Sequence, residues 1–294
     1  MKKIDIHVHT TMNNKIIRYG TSTPFCSPEQ LLEKYEVLGI DFAVILPMVN
    51  PECCSQLHTN EEVIAIIEKY PDHFTWFANV DPRALLNSPE SDFTYILNYY
   101  KDLGAKGIGE ICANMPFDDP KVENLFGFCE KNNLPVTFHI SPILGRFYGL
   151  ADSLGLPGLE KALIKFPGLK FLGHSQPFWA EISADLTEEM RNVYPNGKVN
   201  PGRLVELMFK YPNLHGDLSA GSGFNAIIRD PEYGCLFLEE FQDRLYFGTD
   251  ICSPDEYAKL SHWLDDAVSS SRITRQAYEK ISRKNAEKLL GLKH

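Results

Sequence analysis

The sequence predicts a (β/α)8 TIM barrel of the α/β class, and three observations lead there. Eight short β-rich runs recur with starts roughly 30 to 45 residues apart, near the length of one βαβ repeat. Stretches with helical periodicity fill the intervals between them. No strand is followed by G-x-G-x-x-G or by G-x-x-x-x-G-K-[ST], which disfavours the doubly wound open sheet, the main competitor.

Taken in order, the first strand is Lys3–Val8 (KIDIHV), followed by a long stretch from Thr10 to Ser27 and the helical SPEQLLEKYEVLG. Asp41–Leu46 (DFAVIL) is second, leading into NEEVIAIIEKYP, and Phe74–Val80 (FTWFANV) is third. Lys106–Ile111 (KGIGEI) is fourth, followed by DPKVENLFGFCEKNN, and Pro135–Ile140 (PVTFHI) is fifth. Leu169–His174 (LKFLGH), Asn213–Leu218 (NLHGDL) and Arg244–Asp250 (RLYFGTD) complete the eight, with PGRLVELMFKYP before the seventh. Several helices open on a Ser, Asn or Asp cap and close on Gly or Asn with Pro nearby. A last helix, about Thr274 to Leu290 before Gly291, is expected to pack on the outside and close the barrel. No low-complexity linker divides the chain, so residues 1–294 read as one domain with an extra C-terminal helix.

Charge and composition exclude other classes. Against 39 Asp plus Glu stand 29 Lys plus Arg, a net charge of −10, so no basic footprint for nucleic acid exists. The longest apolar run, Phe42 to Val49, is far short of the roughly 18 residues that cross a bilayer, and no membrane partner is expected. Asp5, His7 and His9 interrupt the stretch an export signal would need, so a cytoplasmic location is the expectation. The seven cysteines (Cys26, Cys53, Cys54, Cys112, Cys129, Cys235, Cys252) make an odd count without a C-x-x-C pair and read as reduced thiols. Oligomeric state is open, and a homodimer formed through helices is compatible with a barrel of this size.

Polar groups coincide with the C-terminal ends of the predicted strands, where barrels of this type assemble their sites. His7 and His9 lie two apart on the first strand, and period two puts both on one face, the barrel interior. Glu110 ends the fourth strand, His139 the fifth, His174 the sixth and Asp250 the eighth. Singly each has a bland reading: H-x-H is common, a lone His is often a core residue, Glu110 could be ion-paired, and Asp250 could cap a helix. Together, that many buried ionisable groups would cost several kcal/mol unless a divalent cation satisfies them. The set therefore points to a metal centre.

With these residues in view, the chain resembles the amidohydrolase superfamily. His7-x-His9, Glu110 in GIGEI, His139 in PVTFHI, His174 in FLGHS and Asp250 in YFGTD carry the likeness. It is most similar to the amidohydrolase-related (amidohydrolase-2) branch of aminocarboxymuconate-semialdehyde decarboxylase-like proteins, in which KISRKNAEKLLGL also finds its counterpart. The likeness runs from Ile4 to Leu292. It implies that His7, His9, His139 and Asp250 bind Zn²⁺, with Mn²⁺ or another transition metal as alternatives. It also implies that His174 is catalytic in a one-ion centre or a ligand in a two-ion centre. The carboxylated-lysine pattern is absent, since Lys106 begins the fourth strand and Glu110 ends it, so Glu110 would be the bridge between two ions, as in TatD-like deoxyribonucleases.

The chemistry implied is hydrolysis of a small-molecule amide, ester or lactone by a metal-activated water, with Asp250 as general base and His174 polarising the carbonyl. The alternatives are non-oxidative decarboxylation of an unsaturated or aromatic acid, a two-ion phosphodiesterase, and a catalytically silent metal-binding barrel. Candidate substrate contacts are Arg18 and Arg146 as carboxylate clamps, Tyr148 and Trp179 with Phe147 and Phe178 as aromatic walls, and Asp217 near the seventh strand's mouth. The stretch Thr10 to Ser27 is a candidate lid, and His58 reads as part of a polar loop.

Overall fold

The computed structural model describes residues 1–52 and 56–292; Cys53 and Cys54 lie outside the described residues. Its strands are β1 (Lys3–Val8), β2 (Ile40–Ile45), β3 (Phe74–Trp76), β4 (Ile108–Ile111), β5 (Val136–Ser141), β6 (Leu150–Ala151), β7 (Phe171–His174), β8 (Leu214–Asp217) and β9 (Leu245–Tyr246). They run in the orders β1-β2-β3 and β4-β5-β7-β8-β9, and every pair is parallel. Backbone hydrogen bonds join the two arcs. The Ala78 amide donates to the Gly107 carbonyl (2.9 Å) and Gly109 donates to Ala78 (2.8 Å), while Ile6 donates to Phe247 (3.0 Å) and Asp250 to His7 (2.8 Å). Eight strands thus close into the predicted TIM barrel, with helices between them. The two-residue β6 sits outside the ring, paired to the top of β5 and bridged to Pro116 after β4.

Helix Pro28–Leu38 shows how the sequence writes these elements. The Ser27 hydroxyl accepts the Gln30 amide while the Gln30 side chain accepts the Ser27 amide, and Gly39 at φ 69° ends the helix in the left-handed region. Leu31, Tyr35 and Leu38 form its buried face against the barrel. Apolar burial falls into two layers. Between strands and helices lie residues such as Val8, Leu31, Tyr35, Ile45, Ile108, Ile111 and Phe138. Inside the barrel lie Ile4, Ile6, Val44, Leu46, Phe77, Leu172 and Tyr246.

The last helix departs from expectation. It is built as Arg275–Glu279, a π-helical segment Lys280–Lys284, and Asn285–Leu290. Instead of lying only on the outside, it brings Ala286 and Leu290 into the interior cluster with Ile4, Ile6, Val44 and Tyr246. Asn285 Nδ2 fixes the arrangement by donating to the carbonyls of Gln242 (2.7 Å) and Leu245 (2.8 Å).

Two strands break their period where the functional side chains emerge. On β1, Asp5 pairs with Ala43 but Val8 pairs with Ile45, so three steps on β1 match two on β2. This β-bulge sets Ile6 and His7 together opposite Val44, on the interior side, and sends Val8 outward to the helix layer. Strict alternation from Ile4 and Ile6 would have turned His7 out. On β4 the same count holds, with Ile108 against Val136 and Ile111 against Phe138, and Glu110 enters the interior there. Gly109 makes this possible, because at φ 141° a Cβ would overlap the Thr137 carbonyl oxygen.

Candidate metal centre

At the mouth of the barrel the bulged β1 delivers His7 and His9, fully buried. Glu110 arrives from β4, His139 from β5, His174 from the end of β7, and Asp250 from the turn after β9, where it adopts φ 54°. His7 Nε2 lies 3.1 Å from His9 Nε2, 3.6 Å from Glu110 Oε2 and 3.5 Å from Asp250 Oδ1. His9 Nε2 lies 3.7 Å from Glu110 Oε2 and 3.4 Å from Asp250 Oδ1. Zinc bonds of about 2.0 to 2.2 Å set tetrahedral ligand atoms about 3.3 to 3.6 Å apart, so these separations have the size of a coordination polyhedron.

Protons settle what the two imidazoles offer. His9 Nδ1 is 2.8 Å from the Leu46 carbonyl, which only accepts, so the proton sits on Nδ1 and Nε2 carries a lone pair. His7 Nδ1 is 2.6 Å from Asp217 Oδ2 and reads the same way. In their neutral forms the two imidazoles turn lone pairs toward each other at 3.1 Å, an arrangement relieved by a metal ion or by a proton between them. A carboxylate or carbonyl behind each histidine is the usual support for a metal ligand.

Electrostatics agree. Burial alone would depress the His7 pKa, but the carboxylates of Asp217, Asp250 and Glu110 outweigh it and raise it well above the usual imidazole value. For His9, burial is again outweighed, by Asp250 and Glu110, and the pKa rises to about 9. Burial opposes ionisation of Glu110 and Asp250, yet His7 with His139 or His174 holds both carboxyls well below the ordinary range.

His139 stands one step aside. Its Nδ1 is 2.7 Å from Glu110 Oε1, and its donor atoms group with those of Glu110 and Cys112, while His7, His9 and Asp250 form a separate group and His7, Glu110 and His174 a third. Of the implied set, His7, His9 and Asp250 thus fall in one grouping and His139 in another, with Glu110, carried inward by the bulge in β4, between His139 and His7. Burial lowers the His139 pKa more than Glu110 raises it, so its neutral, ligating form is favoured. His174 Nε2 reaches Asp250 Oδ2 at 3.6 Å and Glu110 Oε1 at 3.9 Å, and Ser219 Oγ lies 2.9 Å from its Nδ1.

A cavity of about 1420 Å³ opens above these groups, lined among others by His9, Glu110, His139, Asp250, Arg18, Arg146, Phe147 and Tyr148. Arg18 is paired to Glu256 (2.8 Å) and lies over the Phe25 ring, and the Tyr148 ring lies tilted against His139 at 4.4 Å. Arg146 has no ion-pair partner among the described residues. Three expected contacts lie elsewhere. Asp217 is fully buried behind His7, its Oδ1 taken by the Ser219 amide, so it faces the His7 imidazole and not the cavity. Trp179 and Phe178 belong to the helix-side core, the indole N–H donating to the Asp217 carbonyl at 2.9 Å. His58 is buried against Phe25 at 4.2 Å, and burial pushes its pKa down to about 3.

Asp5 escaped the sequence reading. Its Oδ1 accepts the His7 amide freed by the bulge (3.1 Å) and the Thr249 amide (2.8 Å), and its Oδ2 accepts the hydroxyls of Tyr35 (2.6 Å) and Thr249 (2.5 Å). One buried carboxylate thus ties the strand of His7 to the turn of Asp250. The available signal was a carboxylate between the two isoleucines of the first strand, two positions before His7.

The stretch from Thr10 to Ser27 is pinned at its base, with Thr11 donating to Cys26 and Cys26 to Cys252, and exposes Ile16, Ile17 and Tyr19 at its tip beside the cavity. No helix among the described residues is long and apolar enough to cross a membrane.

A family model described as Amidohydrolase matches residues 4–292. Similar solved structures include an uncharacterized TIM-barrel protein from Bordetella bronchiseptica (19% identity, TM-score 0.69, 99% of each chain covered). They also include 2,6-dihydroxybenzoate decarboxylase from Rhizobium (17%, 0.59, 99% of each chain). An amidohydrolase from Burkholderia multivorans is another (13%, 0.63, 100% of each chain). No curated protein matches the chain.

Proposed function

Because the chain belongs to the amidohydrolase family, a metal-dependent family of enzymes that holds both hydrolases and decarboxylases, we propose that it hydrolyses an amide, ester or lactone bond of a small molecule. The observation that carries this reading is the convergence of the His7 and His9 Nε2 atoms, 3.1 Å apart, on the carboxylates of Glu110 and Asp250. His7, His9, Asp250 and Glu110 would hold the ion, and their mixed nitrogen and oxygen donors suit Zn²⁺, with Mn²⁺ as the harder alternative. A divalent ion there supplies Lewis acidity, lowering the pKa of water from 15.7 toward about 7.

The chain's own groups do the rest. Asp250, the partly open carboxylate of the set, takes the proton from the attacking water and returns it to the leaving group. With the Ser219 hydroxyl donating to its Nδ1 (2.9 Å), His174 would carry the imidazole proton on Nε2, aimed into the site where a carbonyl oxygen gains charge. Phe147 and Tyr148 give the cavity an aromatic wall. The test is turnover of chromogenic esters and lactones by protein stripped with a chelator and then reloaded. Activity lost and restored with metal is expected; absence of metal-dependent turnover across esters, lactones and amides overturns the reading.

Non-oxidative decarboxylation of an aromatic or unsaturated acid is the second reading. It is favoured by Arg146, which lines the cavity beside Tyr148 without an acidic partner among the described residues. Carbon dioxide release from a panel of aromatic carboxylates, with no ester turnover, selects it.

A further inference from the structure

The aromatic wall of the cavity stands on a segment with little support of its own. Among the described residues, Ile143 to Tyr148 make no backbone–backbone hydrogen bond, and all six are exposed. Gly145 and Gly149 take φ 87° and 101°, and a Cβ on Gly149 would lie 2.7 Å from the His139 carbonyl oxygen, so the segment turns back tightly onto β5. One side chain gathers it. Asn114 Nδ2 donates to the carbonyls of Ile143 (3.2 Å) and Gly149 (3.1 Å), while its Oδ1 accepts the Gly145 amide (2.5 Å). Both protons and the oxygen of that amide are used, which sets its orientation. Asn114 itself is anchored. Its backbone amide donates to Glu52 Oε1 (3.4 Å), and the residues after it pair with β6, the Ala151 amide donating to the Met115 carbonyl (2.7 Å) and the Phe117 amide to the Ala151 carbonyl (2.9 Å).

We propose that Asn114 is a positioning residue that holds residues 143–149 as a preset wall, and so sets how strongly the site favours a ring-bearing substrate over a small aliphatic one. It rests on the proposed hydrolysis at the metal centre and adds to it a choice among substrates. Arg146, Phe147 and Tyr148 all line the cavity from this segment, with the Tyr148 ring against His139 at 4.4 Å. A wall ordered before binding costs less freedom when a ring docks on it, and a small ester that does not reach the wall gains less from that order.

The experiment compares full-length, metal-loaded wild type with Asn114→Ala and Asn114→Asp. Alanine removes all three bonds; aspartate keeps an acceptor for the Gly145 amide but sets a carboxylate oxygen against two carbonyls. Hydrogen exchange followed by mass spectrometry should speed up about tenfold or more at residues 143–149 in both variants, with helix Pro28–Leu38 unchanged. Relative to wild type, kcat/KM for a benzyl ester should fall about tenfold further than for the methyl ester of the same acid, chiefly through KM. Exchange at the wild-type rate in the alanine variant overturns the positioning role whether or not any ester turns over. Equal losses on the two esters mark a merely structural part and overturn the substrate choice, leaving the proposed function standing. An aspartate variant that behaves as wild type also overturns the inference, as does unfolding of both variants by circular dichroism. Absence of metal-dependent turnover in wild type overturns the proposed function and the substrate choice together.

Discussion

Where the strands begin, the barrel interior holds Ile4, Ile6, Val44, Leu172 and Tyr246, stoppered by Ala286 and Leu290. Where they finish, the same interior holds four histidines and three carboxylates, each engaged by a neighbour from another strand. The first end stabilises by removing apolar surface from water. The second is costly to bury and is compensated only by mutual charge and, on the proposed reading, by metal. Stability and chemistry are thus separated along one axis, and changes at the two ends should be separable in measurement.

Asp250→Asn tests the active end most severely. Turnover should drop by about a hundredfold to ten-thousandfold while circular dichroism stays unchanged, as loss of a general base predicts. Near-normal turnover would remove Asp250 from its role. At the opposite end, Leu290→Ala should cost about 2 to 4 kcal/mol of unfolding free energy by opening a cavity, measured by urea denaturation, with metal affinity unmoved. If metal affinity fell with it, the two ends would not be independent.

Asp217→Asn sits between these extremes. Loss of the carboxylate behind His7 should weaken metal binding about 10- to 100-fold in a chelator competition, with little change in the melting of metal-free protein. The smallest effect concerns His215, whose Nδ1 lies 3.1 Å from the Tyr246 hydroxyl and whose pKa burial pushes down to about 3. A depressed folded-state value means its contribution is complete above the ordinary 6.5 and is lost as pH falls toward 3, because the unfolded chain takes the proton first. His215→Gln should therefore lose about 1 kcal/mol less stability than wild type between pH 7 and 5.5.

Much of this was legible in the sequence. The strand runs were readable because parallel strands buried on both faces are short and apolar, and the donors because each is an ionisable residue interrupting such a run. The ends of the third and eighth strands were not, since isolated backbone bonds at Ala78 and Asp250 replace a regular ladder there, Asp250 turning to φ 54°. Asp217 and Trp179 were misplaced because a residue near a strand end can face a ligand, the core or the cavity, and side-chain type alone does not choose. The interior role of the last helix was hidden for a related reason: Ala286 and Leu290 look like any helix–sheet contact until the barrel closes around them.

The bulge in β1 shows how one strand serves both ends. A perfectly alternating strand has a single phase, so the face that begins as core remains core along its whole length. One extra residue shifts that phase by half a period between Ile6 and Val8. Below the shift, even-numbered side chains point to the axis; above it, odd-numbered ones do. Information about the site is therefore stored in a count as well as in composition. Deleting Ile6 would keep both histidines and every neighbour's identity while removing the slip that lets core and centre share a strand.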